Sequence, residues 1–562
     1  MNNPKSSPFF LAQVAVVASL FAALYLLTLG RVFTESPDTI TYIQEIDKGC
    51  FFDAPHLLYN PAAVLWLSFW RLFGLAADSA LGIESLNAIA GALTVTLFFV
   101  ILRKRLGLGF FPALCASALP AFSYGLWLYS TTVEVIALQF FPLMLAFYLL
   151  TAPRLSAASC FWLGIIHGVA VLFYQLNGLF LLIALDVLLL QKNRLDISRF
   201  RAICLYLAPL GLTVVLAYGA VMLSEHSFHS WRQAIIWLLN YAANSSSGGR
   251  HDISLATVAE VGIGASHAII GGHFLFNLPP VKHLLDLALM SNSLTKNAFL
   301  ARNLPVNAVY LLTTLTIITC VIVFLGSALA IAKRRGSLWR QSPLWRSGLL
   351  WLIFYSLFAI VWVPADVEFW IIPASVFWLL LVTLWCGGNE FPARRQTAPA
   401  LAFAAIAACL AAVNYGGSVY WLTKPVNDYY QVKISPIVRE TSQGDLTILL
   451  DPWRLDEYLE RFSKSDFIAL TSFYEKNGEQ SLEKLLAVIH NRLAAGRRVF
   501  IMEEVLHGAP ATSGAGFAAF TEKASRNLHE LYAHTWRPRP TEAGTVYRLE
   551  AQDTGTDTDY RR

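Results

Sequence analysis

Long apolar blocks alternate with short polar loops along most of the chain, and each block has about the 20 residues needed to cross a hydrocarbon core. Eleven blocks lie at 9–30, 85–102, 107–124, 135–151, 158–174, 177–191, 202–224, 307–332, 347–363, 369–386 and 399–422. This pattern predicts a polytopic α-helical membrane protein with about 11 transmembrane helices. No A-x-A-like cleavage site follows the first block, so we expect it to remain as a helix.

Lysine and arginine in the short loops indicate which side of the membrane each loop faces. With a cytoplasmic N-terminus, the outside loops at 125–134, 174–177 and 364–369 hold no basic residue. The inside loops hold Arg103, Lys104, Arg105, Arg154, Lys192, Arg194, Arg199, Arg201, Lys333, Arg334, Arg335, Arg340, Arg346, Arg394 and Arg395. We therefore predict a cytoplasmic N-terminus and an extracytoplasmic C-terminus.

Residues 424–562 differ in character from the apolar part before them. Their β-patterned runs are 446–450, 467–472, 499–502 and 545–549, and their helical runs are 456–462, 479–493 and 517–532. Strands that alternate with helices are typical of a parallel-sheet α/β domain. We predict two domains, a transmembrane domain at 1–423 and a soluble α/β domain at 424–562 on the outer, periplasmic side. No glycine-rich phosphate loop opens a helix there, which favours a binding or scaffolding role for the soluble domain.

Composition narrows the function classes further. The 562 residues are 56% hydrophobic and only 14% charged, whereas soluble domains are about 25% charged. This excludes a soluble enzyme, a disordered protein and a nucleic-acid binder. The net charge of +5 is explained by the basic residues on the predicted cytoplasmic rim. The seven cysteines form no C-x-x-C pair, so neither a disulfide framework nor a zinc site is indicated.

Acidic, amide and aromatic residues gather in the predicted outside loops, where their burial requires partners. The first loop holds Asp38, Tyr42, Glu45, Asp47, Asp53, His56, Tyr59 and Asn60. Later turns add Trp127, Tyr129, Glu134, Tyr174, Gln175, Asn177, Asp366, Glu368 and Trp370. The long loop at 225–306 adds His226, His229, Trp231, Arg232, Arg250, His251, His267, His273 and Lys282. We infer a cavity that opens at the outer leaflet.

Some of these residues also have structural explanations. Trp127, Tyr129 and Trp370 suit the aromatic belts at membrane interfaces, and most histidines of the long loop suit solvated positions. Asp53 suits a helix cap or turn as well as it suits a functional role. A cap explains Asp38 after its proline, but it leaves the later PHLLYNP segment of the same loop unexplained.

The first outside loop resembles that of polyprenyl-phosphate-sugar-dependent GT-C glycosyltransferases. The resemblance rests on Asp38-x-x-x-Tyr42, on the HLLYNP run at 56–61 and on the WRLFG helix end at 70–74. The SLNA run at 85–88, the EVIAL run at 134–138 and the LFYQ run at 172–175 are similar to family segments too. Protein O-mannosyltransferases and the lipid A aminoarabinose transferase are the known relatives, and the likeness covers about the first 200 residues.

Two positions depart from the family pattern. His56 is followed by two leucines where the family has H-P-P, and Thr39 follows Asp38 where the aminoarabinose and mannosyl branches have glutamate. These departures leave the branch, and therefore the sugar, open.

The resemblance implies an inverting glycosyltransferase of the cell envelope, in the bacterial inner membrane. It moves a hexosyl or pentosyl group from a polyprenyl-phosphate donor to a glycan, lipid or protein acceptor at the outer face. We expect Asp38 to accept the acceptor's proton. The expected substrate-binding residues are Tyr42, Asp53, His56, Tyr59, Glu134, Gln175, Arg232, Lys282 and Glu368, with Arg232 and Lys282 as candidates for the phosphate. We expect no cofactor, although the carboxylates leave room for a divalent metal. Membrane lipids are expected partners, and nucleic acid is not.

Three other classes stay open. A transporter or lipid flippase would carry ionisable groups near the bilayer midplane and two repeated halves. The blocks here are nearly free of mid-span charge, and we expect Asp186, toward a cytoplasmic end, to pair with Lys192. A purely structural scaffold would have no need for carboxylates gathered on one face. An oligosaccharide ligase or acyltransferase with a lipid-linked donor is the nearest alternative enzyme.

Overall fold

The computed structural model describes most of the chain. Those residues are 8–36, 38–75, 78–224, 230–244, 255–281, 283, 294–333, 343–386, 396–451, 454–509, 515–532 and 535–549. The chain forms two compact units, which we call the helical unit (Met1–Arg31 and Tyr42–Lys424) and the sheet unit (Val32–Thr41 and Pro425–Arg562). The sheet unit is therefore built from two stretches that are far apart in the sequence.

Helices follow one another along the helical unit. They are Pro8–Leu27, Thr39–Lys48 (which starts in the sheet unit), Tyr59–Leu72, Ser79–Arg105, Phe110–Phe122, Tyr124–Thr131, Val135–Leu150, Ala157–Phe173, Phe180–Leu190, Arg199–Ser224, Trp231–Asn244, Leu255–Ile269, Leu294–Leu300, Val306–Lys333, Pro343–Trp362, Ile371–Cys386 and Thr397–Asn414. Short 3₁₀ turns lie at Gln175–Leu179, Lys192–Arg194, His273–Asn277 and Val367–Trp370. A π-helical turn at Tyr415–Val419 continues the last helix to Leu422.

Apolar helices of membrane-crossing length dominate this unit. Seven are long and apolar enough: Pro8–Leu27, Ser79–Arg105, Arg199–Ser224, Val306–Ala332, Pro343–Trp362, Val367–Cys386 and Thr397–Leu422. Phe110–Phe122 and Tyr124–Thr131 form a further apolar pair bent by 71°, and Val135–Leu150, Ala157–Phe173 and Gln175–Leu190 are apolar but shorter. Every predicted block is thus helical, and the polytopic helical fold is confirmed. Eleven as the number of spans stays a prediction.

Glycines let two of these helices approach closely. Gly164 and Gly168 of Ala157–Phe173 face Arg199–Ser224, and a Cβ added to Gly164 would lie 2.3 Å from the carbonyl oxygen of Tyr206. No side chain fits that space. Small residues are common at such contacts because lipid provides no hydrophobic force that drives helices together, so backbone packing has to do so.

Arginines on the predicted cytoplasmic rim bond to the ends of neighbouring helices. Arg105 donates to the carbonyl oxygen of Tyr148 at 2.8 Å, and Arg194 donates to that of Leu150 at 2.6 Å. These donors satisfy carbonyls that a helix end leaves without partners. Asp186 accepts from Arg346 at 2.5 Å, so the expected pair with Lys192 is wrong. Arg346 lies on the helix Pro343–Trp362, far from Asp186 in the sequence, so sequence spacing does not predict this pair.

The sheet unit is a small α/β fold with the strand order β2-β1-β3-β5-β4. Its strands are β1 Leu446–Leu449, β2 Asp466–Ala469, β3 Val499–Met502, β4 Trp536–Thr541 and β5 Gly544–Leu549. Its helices are Tyr429–Glu440, Leu455–Phe462, Leu470–Asn477, Ser481–Ala494, Glu503–His507 and Ala515–Tyr532, with 3₁₀ turns at Pro425–Asn427 and Gly478–Gln480. The predicted α/β domain is confirmed.

The sheet is mixed, not wholly parallel as the alternation of elements suggests. β1 runs parallel to β2 and β3, whereas β5 is antiparallel to β3 and β4 is antiparallel to β5. β4 is not among the strands predicted from the sequence, because it contains Pro538 and Pro540. Proline cannot donate to a ladder, and sheets admit it at an edge strand, which is where β4 lies.

Residues 32–41 are part of the sheet unit's core. Ile40 is buried in the same hydrophobic cluster as Tyr430 and Leu455, and the ring of Phe33 stacks on that of Phe462 with centroids 6.4 Å apart. The segment is also held by hydrogen bonds to Asp428. The sheet unit therefore has a discontinuous chain.

Asp428 is the buried residue that fixes this segment. Its carboxylate accepts from the backbone N–H of Phe33 at 2.7 Å, the hydroxyl of Thr34 at 2.9 Å and the hydroxyl of Tyr458 at 3.0 Å. It also caps its own helix by accepting from the N–H of Gln431 at 3.0 Å. Burial raises the pKa of Asp428, although these four hydrogen bonds oppose the rise.

We predict that Asp428→Ala lowers the free energy of unfolding of the sheet unit by about 2–4 kcal/mol, because it leaves buried donors without an acceptor. Amide exchange in residues 32–36 should become faster, as measured by hydrogen–deuterium exchange on the full chain. Asp466→Asn is the control, since Asp466 is 61% exposed and bonds only at the surface, to Arg492, which is worth about 0–1 kcal/mol. Unchanged exchange in 32–36 after Asp428→Ala would contradict this account.

Candidate functional site

Four aromatic side chains from the first and third of the predicted outside loops form one cluster, which we call the ring cluster: Tyr42, His56, Tyr59 and Tyr174. The ring centroids of Tyr42 and Tyr59 are 4.6 Å apart, those of Tyr42 and His56 are 6.0 Å apart and those of His56 and Tyr174 are 4.6 Å apart. All four are buried. The structure thus brings together residues on which the family resemblance rests.

His56 is a neutral member of the cluster. Burial lowers its pKa to about 4. Its Nδ1 lies 3.3 Å from the carbonyl oxygen of Phe173, and because a carbonyl only accepts, Nδ1 carries the proton and Nε2 is left as an acceptor. His56 therefore offers substrate a hydrogen-bond acceptor and no positive charge near neutral pH.

Backbone and amide hydrogen bonds tie the first outside loop to the third. The backbone N–H of Leu58 donates to Leu172, and that of Gln175 donates to Pro55. The Gln175 side-chain amide donates to the carbonyl oxygen of Ala54 and the hydroxyl of Tyr218, both at 3.0 Å. Its amide nitrogen is therefore occupied in holding the loops together. Its role as a substrate ligand stays a prediction.

Asn87 connects the ring cluster to Glu134. Its amide nitrogen lies 3.3 Å from the Tyr59 hydroxyl and donates to the carbonyl oxygens of Thr132 and Glu134 at 2.7 and 2.6 Å. The Glu134 carboxylate caps the helix Val135–Leu150 by accepting from its first N–H at 3.1 Å. Glu134 is 1% exposed, so the structure places a buried carboxylate beside the ring cluster.

Glu84 is a second buried carboxylate near the ring cluster, and the sequence analysis did not select it. It is 2% exposed and interacts electrostatically with Arg31 and Asp78. Burial, followed by the Glu134 and Glu84 carboxylates, raises the pKa of Tyr59. The available signal was an acidic residue directly before an apolar block, which is a functional candidate in a membrane helix.

The last outside turn contributes Asp366 and Glu368. Asp366 caps the 3₁₀ turn Val367–Trp370 by accepting from the N–H of Glu368 at 3.0 Å. Both carboxylates, together with Glu134, interact electrostatically with the fully buried Tyr129. Glu368 is thus linked to Glu134 through Tyr129 rather than by direct contact with the ring cluster.

Two histidines of the long outside loop lie inside the helical unit, not in solvent as most were expected to. The His267 and His273 rings lie 4.9 and 5.3 Å from that of Tyr124 and 5.2 Å from each other. His273 is fully buried beside the hydroxyl of Ser418 at 2.9 Å. The available signal was the apolar composition of the residues around them, which form the helix Leu255–Ile269.

Of the other loop candidates, Arg232 and Asp53 fall within the described residues. Arg232 has an exposed side chain on the helix Trp231–Asn244, and in the described ranges no hydrogen bond connects it to the cluster. Asp53 interacts electrostatically with Tyr218, which places it beside the loop contact made by Gln175. Lys282, with His226, His229, Arg250 and His251, lies outside the described residues.

Asp38, the expected base, belongs to the sheet unit. Its side chain keeps contact with solvent, yet protein atoms surround it closely enough that desolvation raises the pKa of its carboxyl, against the opposing effect of Arg454. Glu457 interacts with both Asp38 and Arg454. Asp38 is therefore an exposed residue whose carboxyl is influenced by charged groups of the sheet unit.

A metal ion has no evident ligand set in the described part of the chain. Within those residues, no three His, Cys, Asp or Glu side chains lie close enough together to bind one. The carboxylates near Tyr59 and Tyr129 act instead on tyrosines and helix caps.

No family model and no curated protein matches this chain. Similar solved structures include ArnT, a lipid A aminoarabinose transferase, from Cupriavidus metallidurans bound to undecaprenyl phosphate, at 11% identity and a TM-score of 0.47, covering 97% of this chain and 99% of that one. The Archaeoglobus fulgidus oligosaccharyltransferase in complex with Zn and sulfate aligns at 15% identity and a TM-score of 0.49, covering 96% of this chain and 73% of that one. The archaeal enzyme AglB with an inhibitory peptide and a dolichol-phosphate aligns at 13% identity and 0.45, covering 99% and 76%.

These neighbours are of the kind that the sequence resemblance names, but each is less than 25% identical to this chain. At TM-scores below 0.5 they carry no argument about what this chain transfers.

We predict that His56 makes the helical unit lose stability as the pH falls from about 6.5 to about 4. The unfolded histidine binds its proton near its ordinary pKa of about 6.5, whereas the buried one resists it until about 4, so acid favours unfolding by up to about 3 kcal/mol. Thermal unfolding of His56→Gln should show a flatter pH dependence over this window. The exposed His507→Gln is the control. Equal slopes for wild type and His56→Gln would refute the assignment.

Proposed function

We propose that this protein is an inverting glycosyltransferase that moves one sugar from a polyprenyl-phosphate donor to an acceptor at the outer face of the membrane. One observation carries the proposal. The motif residues Tyr42, His56 and Tyr59 form a buried cluster with Tyr174, and Asn87 connects that cluster to Glu134. Such convergence is what a binding site for a polar headgroup requires.

The proposed reaction is a single displacement at the anomeric carbon. A hydroxyl oxygen of the acceptor forms the new glycosidic bond as the bond between that carbon and the phosphate oxygen breaks. The phosphate oxygen keeps the electron pair and leaves as polyprenyl phosphate, and the acceptor's proton passes to a carboxylate. One displacement inverts the configuration at the anomeric carbon.

We assign the role of general base to Asp38. Its carboxyl is accessible and has a raised pKa, and such a group accepts a proton more readily than an ordinary surface aspartate. Arg454 favours the ionised form that a base needs, against the larger effect of desolvation. Glu35 is the other carboxylate between the first apolar block and Asp38.

The ring cluster and Glu134 suit sugar and acceptor hydroxyls. Tyrosine rings pack against the apolar faces of a sugar, while Nε2 of His56 and the Glu134 carboxylate accept hydrogen bonds. The donor phosphate requires cations. Arg232 and Lys282 remain candidates for it, and Arg31, beside Glu84, is a third.

His167 is an ionisable group that is buried between helices, and its contacts do not require a transport role. His167 is fully buried, but Nδ1 contacts the Tyr206 hydroxyl at 2.7 Å and Nε2 contacts the carbonyl oxygen of Asn177 at 2.8 Å. The amide of Asn177 donates to Gln139 at 2.6 Å. The network holds the turn Gln175–Leu179, so it has a structural explanation and needs no transport role.

We predict that the purified protein carries a polyprenyl phosphate or its sugar conjugate. Organic extraction and negative-ion mass spectrometry should show it enriched at least tenfold over a mock purification from the same membranes. A polyprenyl pyrophosphate bearing several sugars would favour the oligosaccharide ligase instead. A lack of any enriched polyprenyl lipid would count against both enzymes and favour a transporter or scaffold.

We predict that Asp38→Asn lowers transfer at least a hundredfold, because general base catalysis contributes about 10²–10⁴-fold and asparagine keeps the size but accepts no proton. Transfer would be measured with undecaprenyl-phosphate sugars extracted from bacterial membranes and a panel of acceptors. Asp47→Asn is the matched control in the same loop, since Asp47 bonds to Ser79, and it should retain activity. Near-normal transfer by a well-expressed Asp38→Asn protein would remove Asp38 from the mechanism.

A further inference from the structure

The sheet unit has a crevice of the type that binds ligands in α/β folds. β1 lies between its parallel neighbours β2 and β3, so the chain leaves β1 toward one side and later returns to the other. In such sheets, ligands bind beyond the carboxyl ends of the strands where this reversal occurs. Residues that follow β1 are therefore candidates for a functional role, and Arg454 is among them.

Arg454 has a backbone conformation that arginine seldom adopts. Its φ of 63° makes it the one non-glycine residue with positive φ in the described ranges. It directly precedes the helix Leu455–Phe462. A non-glycine residue adopts the left-handed region where the surrounding structure holds it there, and such residues often lie at functional sites.

The Arg454 side chain lies among the groups that surround Asp38. It interacts electrostatically with Asp38, Glu457 and Tyr430. The Thr41 hydroxyl donates to Glu457 Oε1 at 2.8 Å. The charged groups that act on the Asp38 carboxylate thus include a cation on the loop after β1 and a carboxylate on the following helix.

The segment that carries Asp38 is fixed on both sides of it. Phe33 and Thr34 are bonded to Asp428, and Thr41 is bonded to Glu457. The fold of the sheet unit, and not a flexible loop, therefore holds Asp38 beside Arg454. A group held within about 6 Å of an opposite charge has its protonation controlled by that charge.

We propose that Arg454 is a positioning residue of the transfer site, which orients the Asp38 carboxylate and holds it ready to accept the proton of the acceptor. The sheet unit then has a role in addition to recognising an acceptor or a partner. It supplies Arg454, the group that controls the orientation and ionisation of the base. This inference rests on the proposed function only in the role given to Asp38. The pairing of the two side chains is testable without any donor.

The test measures the ionisation of Asp38 in the full-length protein in lipid nanodiscs. Carbodiimide labels protonated carboxyls, and peptide mass spectrometry reports the labelling of Asp38 at each pH. For Arg454→Gln we expect the labelling midpoint to rise by at least one pH unit, because the favourable charge is gone. Arg454→Lys should restore most of the difference. Arg526→Gln is the control, since Arg526 is exposed and pairs with Glu522 on its own helix.

The transfer reaction supplies the second readout, with undecaprenyl-phosphate sugars from bacterial membranes as the probe. The acidic limb of the rate profile should move to higher pH in Arg454→Gln, in step with the labelling midpoint, and Arg454→Lys should follow wild type. A purely structural arginine would lower the rate without moving the limb.

The outcomes separate the two proposals. An unchanged labelling midpoint in folded Arg454→Gln, or a rate profile that does not move, overturns the inference. If Arg454→Gln fails to fold, Arg454→Lys with wild-type midpoint and profile supports it, and Arg454→Lys with a wild-type fold but a midpoint equal to that of free aspartate overturns it. A shifted midpoint in a protein that transfers no sugar supports the pairing of Arg454 with Asp38 and overturns the proposed function alone.

Discussion

A helix that ends inside a membrane bundle leaves carbonyl groups without partners, and the helical unit depends on asparagine side chains that satisfy them. Asn87 donates to the carbonyls of residues 132 and 134, Asn177 to that of residue 170, and Asn414 to those of residues 122 and 269. Each asparagine stabilises a break between helices. The breaks at 131–135 and 173–180 are where Glu134 and Tyr174 reach the ring cluster.

This constraint explains why the site contains so many amides whose nitrogen is already used. An amide without a hydrogen-bond partner in apolar surroundings costs on the order of several kcal/mol. The hydrogen bonds of Asn87 and Gln175 therefore have a structural role first. The groups left for substrate are then the rings, the acceptor nitrogen of His56 and the carboxylates. Their chemistry suits a neutral, hydroxyl-rich ligand better than an ion in transit.

Local pattern was sufficient to predict the helical fold and the first-loop residues, because apolar length and the Asp38-to-Tyr59 motif are contiguous in sequence. It was insufficient where distant segments decide the environment. The burial of His267 and His273 depends on Tyr124 and Ser418, which lie in other elements. Strand β4 was hidden by its prolines, which an edge position tolerates.

The same limit applies to Asp38 and Glu84. The sequence predicts Asp38 in an outside loop, yet Arg454, a cation that acts on it, comes from beyond the last apolar helix. Glu84 is adjacent to an apolar block, and from the sequence alone it resembles an ordinary residue at the start of a helix. The structure shows its interactions with Arg31 and Tyr59. Charges that are paired through the fold cannot be read from spacing.

The hydrogen bond between Phe33 and Asp428 joins residues that are 395 positions apart. During synthesis the ribosome has therefore made nearly all of the chain before residues 32–41 can take their final place. Ile40 and the aspartate two residues before it must wait, without their core, until the last quarter of the polypeptide emerges. A nascent or truncated chain would thus lack the packing that orders this segment, and its folding would be a late event of biogenesis.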